Sequence, residues 1–417
     1  MTFQALPGFR DFYPADYAAR KYLFGIWRGA AAQFGFSFYD GPPLEPLDLY
    51  IAKSGEEIVR QLYNFTDKGE RQIALRPEMT PTLARMAGLK HRDFKKPMKW
   101  CAVPQLFRYE RAQKGRLREH FQWNCDIIGE SSLGAEAELI ALLVHGLQKM
   151  GLSAQDVVIR VSDRVFWKDF LQKHNVEESK HYDFFQTIDK IEREEESATR
   201  QKLGNLADDV FAVLNSKPSS PRFDDLMSRL AALGLESFVE TDLKIIRGLA
   251  YYTGVVFEIH DRNRQFRAIA GGGRYDNLLK QISGEDLPAV GFGMGDVVIL
   301  ELLKAKKLLP SLHASLDFFV VIGEEKYRSE ALRLVRFLRE GGYAADYPLA
   351  EMKFNKQLDL ASERGAQYIL IVDAALEQCK MRLKNMATRE QAEISFSCEK
   401  DIYNFHPPLP PPSGKAA

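Results

Sequence analysis

At 417 residues the chain is long enough for two or three domains, and 45% hydrophobic with 27% charged residues is the composition of a soluble globular protein. Lys plus Arg balance Asp plus Glu at 57 each, which excludes a general electrostatic pull toward nucleic acid. Cys101, Cys125, Cys379 and Cys398 form no C-x-x-C pair and indicate neither zinc nor a disulfide framework; with no leader segment and no long apolar run, the sequence predicts a cytoplasmic protein outside any membrane.

Residues 1–18 read as irregular, with Pro7, Gly8 and Pro14. Tyr22, Leu23, Ile26, Trp27 and Ala30 recur at helical spacing and predict an amphipathic helix over 19–34, ended by Gly35. A short strand over 36–39 precedes the breaker Gly41-Pro42-Pro43. Strands are expected over 63–66 and 72–75, joined by Asp67-Lys68-Gly69, and a helix carrying Thr80 to Met86 starts after Pro77. Further strands are expected near 98–107 and 120–128, then a helix over 132–150 with an acidic start.

Residues from about 156 to 240 are charge-rich and read as an inserted helical module. Strand patterns return over 251–260 and 267–270, followed by the run Gly271-Gly272-Gly273 and a helix over 295–309. From Leu316 strands (318–322, 344–347, 368–372) alternate with helices (329–339, 353–364), which predicts a small α/β unit with a mostly parallel sheet. The tail from Pro407 is Pro-rich and expected to be disordered. The expected divisions are 1–155 and 241–312 for a main body, 156–240 for the insertion, 317–404 for the α/β unit and 405–417 for the tail.

The most informative stretch is Phe107-Arg108-Tyr109-Glu110-Arg111, followed by Gly115-Arg116 and Phe121-Gln122. From Arg85 to Arg118 there are eleven Lys or Arg against two acids, Asp93 and Glu110. This reads as a strand, a basic loop and a returning strand, gathering guanidinium groups that suit bidentate bonding to phosphate. An isolated basic hairpin is more often a solvated charged loop, but other motifs share the chain. Leu75-Arg76-Pro77-Glu78-Met79-Thr80 puts a carboxylate and a hydroxyl at a strand-to-helix junction, and Arg247-Gly248-Leu249-Ala250-Tyr251-Tyr252-Thr253-Gly254 adds an Arg and two Tyr at a turn. Ala270 to Asp276 reads as a strand end where missing side chains let a ligand lie against backbone, and Gly291-Phe292-Gly293-Met294-Gly295 repeats that feature before the next helix.

In this order the motifs resemble the histidyl-tRNA synthetase family of class II aminoacyl-tRNA synthetases, over nearly the whole chain. Gly41 to Tyr50, with Pro43, is similar to the first class II motif, Phe107 to Gln122 to the second, and Gly271 to Asp276 with Gly291 to Gly295 to the approach to the third. Arg247 to Glu258 resembles the histidine signature R-G-L-D-Y-Y-T-G. The resemblance implies an α+β class II synthetase catalytic core, an antiparallel sheet flanked by helices, with a helical insertion and a C-terminal α/β anticodon-binding domain. It also implies a histidine–tRNA ligase acting on L-histidine, ATP with Mg²⁺ and tRNA(His), as a homodimer formed through the first motif.

Carried over by position, Arg108 and Arg247 would be catalytic, gripping the α-phosphate from two sides. Glu78, Thr80 and Gln122 would bind the amino and carboxylate groups of histidine, and Asp126, Tyr251 and Tyr252 its imidazole. Glu110, Arg116 and Gly293 would join Arg108 and Arg247 on ATP, and no protein metal site is implied. Three departures stand out. Ala112 replaces a Pro common in the basic loop. Ala250 replaces the signature Asp. Asp296-Val297-Val298 stands where the third motif carries Glu-Arg, so either another cation, such as Arg274 or Arg116, takes its place or ATP binding is weakened. The last departure keeps a second reading open, a synthetase-like regulatory subunit of histidine biosynthesis that charges no tRNA.

Overall fold

The computed structural model describes residues 3–54, 61–109, 115, 117–216, 220–246, 251–310 and 316–395. The chain divides into two compact units, Met1–Phe12 with Ala19–Pro310, and Tyr13–Ala18 with Ser311–Ala417. The Pro-rich tail lies outside the described residues.

In chain order the strands of the first unit are β1 (Ser37–Phe38), β2 (Leu44–Pro46), β3 (Asn64–Thr66), β4 (Gln72–Leu75), β5 (Met98–Ala102), β6 (Gln105–Phe107), β7 (Glu119–Ile128), β8 (Val157–Asp163), β9 (Val239–Thr241), β10 (Val255–Asp261), β11 (Ala270–Arg274) and β12 (Ala289–Gly295). β2, β4 and β3 form a small antiparallel sheet. The others form one sheet in the order β1-β5-β7-β12-β11-β10-β8-β9, with β6 also paired to β7. Its central pairings are antiparallel, and only the edge pairs β1–β5 and β8–β9 are parallel.

Strand alternation gives this sheet two chemically different faces. Along β7, Trp123, Cys125 and Ile127 point into the main core, joined there by Phe292 and Met294 of β12 and Phe257 and Ile259 of β10. The helices Pro14–Gln33, Gly134–Lys149 and Asp296–Ala305 supply Trp27, Leu143 and Leu302 to the same core. The Trp27 and Trp123 rings stack with centroids 6.0 Å apart, and Trp123 meets Phe292 edge-on at 5.1 Å. The intervening residues, Gln122, Asn124 and Asp126 among them, belong to the opposite face.

The helices Arg164–Lys173, His181–Lys190, Glu196–Leu203 and Ala207–Leu214 gather a separate core around Trp167, Phe184 and Val210. Their chain segment corrects one expectation. Val157–Asp163 is not the head of a helical module but a fully buried strand of the main sheet, paired along its length with β10. Its Val-Val-Ile-Arg-Val run is short, apolar and β-branched, and it runs straight into a helix, so no turn signal separates the two in sequence. The glycine run is a second correction: Gly271–Gly273 lies inside β11, between β10 and β12. The strand expected over 98–107 is broken between Ala102 and Gln105, with Pro104 in the gap.

In the second unit, β13 (Phe318–Ile322), β14 (Ala345–Asp346), β15 (Tyr368–Val372), β16 (Lys380–Asn385) and β17 (Gln391–Ser395) form a sheet in the order β14-β13-β15-β16-β17. Its first pairings are parallel and the last two antiparallel, so it is mixed rather than mostly parallel. The helices Arg328–Glu340 and Phe354–Glu363 cover β13 through Leu334, Leu338 and Ala361. Gln357 is buried because its amide group bonds both ways to the Ile322 backbone, at 2.8 and 2.9 Å. Cys101 and Cys125 are free and buried, whereas Cys379 is disulfide-bonded, a bond the sequence does not indicate. Among the described residues no helix is long and apolar enough to cross a membrane.

Candidate active site

The polar face of the sheet carries a cavity of about 70 Å³ whose walls include Glu78, Thr80, Arg108, Gln122, Asp126, Tyr251 and Tyr252. Those seven residues come from four separate stretches of sequence, and all seven are expected site residues. Asn124, Gly271, Tyr275, Gly291, Phe292 and Gly293 complete the wall.

β7 supplies the floor by its period of two: Gln122, Asn124 and Asp126 stand in a row on one face. They can stand there because β12 opposite is cleared of side chains. In the register Gly291 faces Asp126 and Gly293 faces Asn124. A Cβ on Gly291 would lie 1.8 Å from Asp126 Oδ1, and one on Gly293 would lie 2.6 Å from Gln122 Cδ. The glycines therefore make room for two functional side chains, not only for a ligand.

Asp126 is only 5% exposed, and the Tyr275 hydroxyl donates a hydrogen bond to its Oδ1. Tyr251 packs edge-on to Tyr275 at 5.9 Å and against Tyr252 at 4.6 Å, so three phenols close one side of the carboxylate. Burial first and the Asp126 charge second push the Tyr275 hydroxyl well above its ordinary pKa, and Tyr39 is raised by the same causes. Both phenols thus stay protonated, Tyr275 as a donor to Asp126 and Tyr39 with its buried hydroxyl unpartnered among the described residues. Glu78 precedes Thr80, the first residue of the helix Thr80–Lys90, whose N-terminus has no side-chain cap. Arg108 reaches this end of the site, its Nε donating to Pro77 O at 3.0 Å.

Arg108, Gln122, Gly271 and Gly293 also line a second cavity of about 1000 Å³ over β8, β10 and β11. Its walls carry Arg160, Arg193, Arg264 and Arg267, with His120, Glu192, Glu258 and His260. His120 is held neutral: burial first, then the charges of Arg108 and Arg10, lower its pKa to about 3. Arg160 is committed to Glu192 at 2.7 Å and to Asp242.

Arg274 is not available to this cavity. Its position in β11 matches Val290 across the register, which puts it on the core face. There it makes a bidentate pair with Glu136, both bonds 2.6 Å, and further bonds to Glu130 O, Ser132 O and Asp276. This corrects the expectation that Arg274 could supply the missing third-motif cation. Glu110, Arg116 and Arg247 lie outside the described residues, as do Ala112 and Ala250.

Some functional residues were not anticipated. Asn124 could have been found, since it shares the alternation of Gln122 and Asp126. Asp296 could not. It is fully buried, accepts from Phe121 N at 2.9 Å and pairs with Arg10 Nη1 at 3.0 Å. Arg10 Nε also pairs with Glu119 at 2.5 Å, and Gln105 donates to that same carboxylate. The residue that departs from the third motif therefore ties the N-terminal segment to the strand that carries Gln122.

The arrangement is a small polar pocket opening into a larger basic cavity on a mainly antiparallel sheet. A family profile described as histidyl-tRNA synthetase matches residues 8–296, and one described as anticodon binding domain matches 317–398. A histidine–tRNA ligase from Opitutus terrae is 43% identical over 94% of this chain and 96% of its own length. The chloroplastic/mitochondrial histidine–tRNA ligase of Arabidopsis thaliana is 38% identical over 94% of this chain and 84% of its own. A histidyl-tRNA synthetase from Nostoc shares the fold with a TM-score of 0.82, at 22% identity, over 97% of this chain and 98% of that one. The chain belongs to the histidyl-tRNA synthetase family.

Proposed function

We propose that the protein is a histidine–tRNA ligase. It forms histidyl-adenylate from L-histidine and ATP and transfers the histidyl group to the 3′ end of tRNA(His). The observation that carries the reading is the pocket floor. A buried carboxylate, oriented by a tyrosine hydroxyl and flanked by two further tyrosines, suits an imidazole, which needs an acceptor at one nitrogen and a donor or acceptor at the other.

In the first step a carboxylate oxygen of histidine attacks the α-phosphorus of ATP, and the bond to the pyrophosphate oxygen breaks. Asp126, Tyr251 and Tyr252 read the imidazole. Glu78, Thr80 and Gln122 hold the amino and carboxylate groups, and the uncapped N-terminus of the helix Thr80–Lys90 favours the carboxylate end. Arg108 and Arg247 stabilise charge growing on the α-phosphate, with Glu110, Arg116 and Gly293 completing the nucleotide site. Such chemistry depends on positioning and charge stabilisation rather than on a protein nucleophile. In the second step a terminal ribose hydroxyl of the tRNA attacks the histidyl carbonyl and AMP leaves.

Among the described residues no three His, Cys, Asp or Glu side chains converge as a metal site. Mg²⁺ is commonly held by substrate phosphates with one or two carboxylates, a role that Glu258 on the cavity wall fits. The ion would supply neutralisation of the phosphate tail. The protein is further proposed to be a cytoplasmic homodimer joined through Gly41–Tyr50, with the helices between β8 and β9 as an insertion and 317–404 binding the anticodon arm.

The altered third motif favours the second reading, a regulatory subunit, but the relatives it matches over nearly their full length are named ligases. Charging of the histidine tRNA from the protein's own source separates the two. The ligase reading predicts histidylated tRNA and histidine-dependent pyrophosphate exchange. Exchange without charging removes the ligase reading, and loss of both makes the regulatory reading the better one.

A further inference from the structure

The nucleotide cavity must offset the charge of a triphosphate, and most of its arginines are already engaged. Arg160 is paired with Glu192 and Asp242, and Arg264 with Glu192 at 3.4 Å. Arg108 sits at the boundary with the histidine pocket, bonded to Pro77 O. Arg267 is different. It is exposed, lines the cavity just ahead of β11, and makes no ion pair or hydrogen bond among the described residues. Its stem approaches Gly115. A Cβ built on Gly115 would lie 3.7 Å from Arg267 Cδ and 3.8 Å from Val298 Cγ2. The stem of Arg267 and the side chain of Val298, which offers only methyl groups, thus both face Gly115.

We propose that Arg267 binds the phosphate tail of the nucleotide, supplying from the approach to β11 the positive charge that the helix Asp296–Ala305 does not bring at Val298. An arginine serves here because its long stem carries a guanidinium that can reach into the cavity and bond phosphate oxygens bidentately. The helix cannot carry the cation at its first residue either, because Asp296 is buried and spent on Arg10 and Phe121 N. The acidic alternative for Arg267 is Glu301, whose Oε2 lies 3.9 Å from the same built Cβ. Arg193 also lines the cavity without an ion pair among the described residues, but it supplies none of the three atoms nearest a Cβ built on Gly115.

The inference rests on ATP occupying this cavity, so its test needs two readouts on the full-length protein. In histidine-dependent pyrophosphate exchange, R267A should raise the ATP KM about 10- to 100-fold, the range expected for a lost charge-assisted hydrogen bond, with the histidine KM unchanged. R267K should fall between R267A and the parent, because an ammonium cannot bond bidentately. R193A should raise the ATP KM less than R267A. Thermal stabilisation by ATP alone, without histidine, should be present in the parent and lost in R267A, and this readout holds even if exchange is absent and the ligase reading has failed. An unchanged ATP KM and undiminished ATP stabilisation in a folded R267A protein would overturn the proposal. So would E301Q raising the ATP KM as much as R267A, since Arg267 would then act only by pairing with Glu301.

Discussion

The two cavities on the polar face of the sheet differ in how they are built. The small one is made by strand register. Gln122, Asn124 and Asp126 alternate along β7, Gly291 and Gly293 clear the strand beside them, and Tyr275 locks the carboxylate. The large one is rimmed by long cationic side chains, many on the segments before β11 and β7. A small neutral or singly charged side chain is discriminated by preorganised hydrogen bonds, which only a rigid sheet can hold in place. A polyanion tolerates more slack in its partners, because charge acts over longer range than a hydrogen bond. The pocket should therefore be brittle to small changes and the cavity should yield by degrees.

The largest expected effect is at the pocket floor. D126N keeps size but removes the carboxylate that Tyr275 orients. It should cost roughly 10³-fold or more in kcat/KM for histidine, with the ATP KM little changed. Exchange kinetics with each substrate varied in turn check this. A parallel rise in both KM values would show that the two cavities are not separable.

Next come the two arginines proposed to act on the α-phosphate. R108A and R247A should each lower the rate of adenylate formation by about 10²–10³-fold, seen in kcat with little change in the histidine KM. A folded variant with near-normal exchange would reduce that arginine to a structural ion-pair partner.

A pair of single-methyl insertions sharpens the register argument. In G291A the new methyl overlaps Asp126 Oδ1 and presses on Cys125 O, so histidine use should fall by about 10²-fold. In G293A it meets only the movable end of Gln122, and about tenfold is expected. Equal losses from the two would mean that the glycines serve the backbone and not these side chains.

The smallest effect concerns His120 in the basic cavity. Its pKa is about 3 in the folded protein against an ordinary value near 6.5, so the unfolded chain takes up the proton first. Its contribution to stability is then fully present above about pH 6.5 and is lost as the pH falls toward 3, by at most about 2 kcal/mol at pH 5. Urea unfolding at pH 7.5 and pH 5 should show a smaller difference for H120Q than for the parent.

The sequence exposes those parts of the site that obey local rules. Gln122 and Asp126 alternate, Thr80 opens a helix after Pro77, and Tyr251 and Tyr252 stand together in one motif; all line the pocket. What it hides depends on pairing at a distance. Arg274 looks like a spare cation until the β11–β12 register turns it toward Glu136. Arg10 and Asp296 are far apart in the chain, so nothing local announces their ion pair. β8 is hidden by running directly into a helix, and β16 and β17 are too polar to stand out.

The most direct test of the account is histidine-dependent ATP–pyrophosphate exchange on the intact protein, run beside glutamine, phenylalanine and proline. A pocket built on a buried carboxylate and tyrosine hydroxyls predicts exchange with histidine and rejection of the others by roughly 10⁴-fold. Equal rates with any one of them would contradict the account.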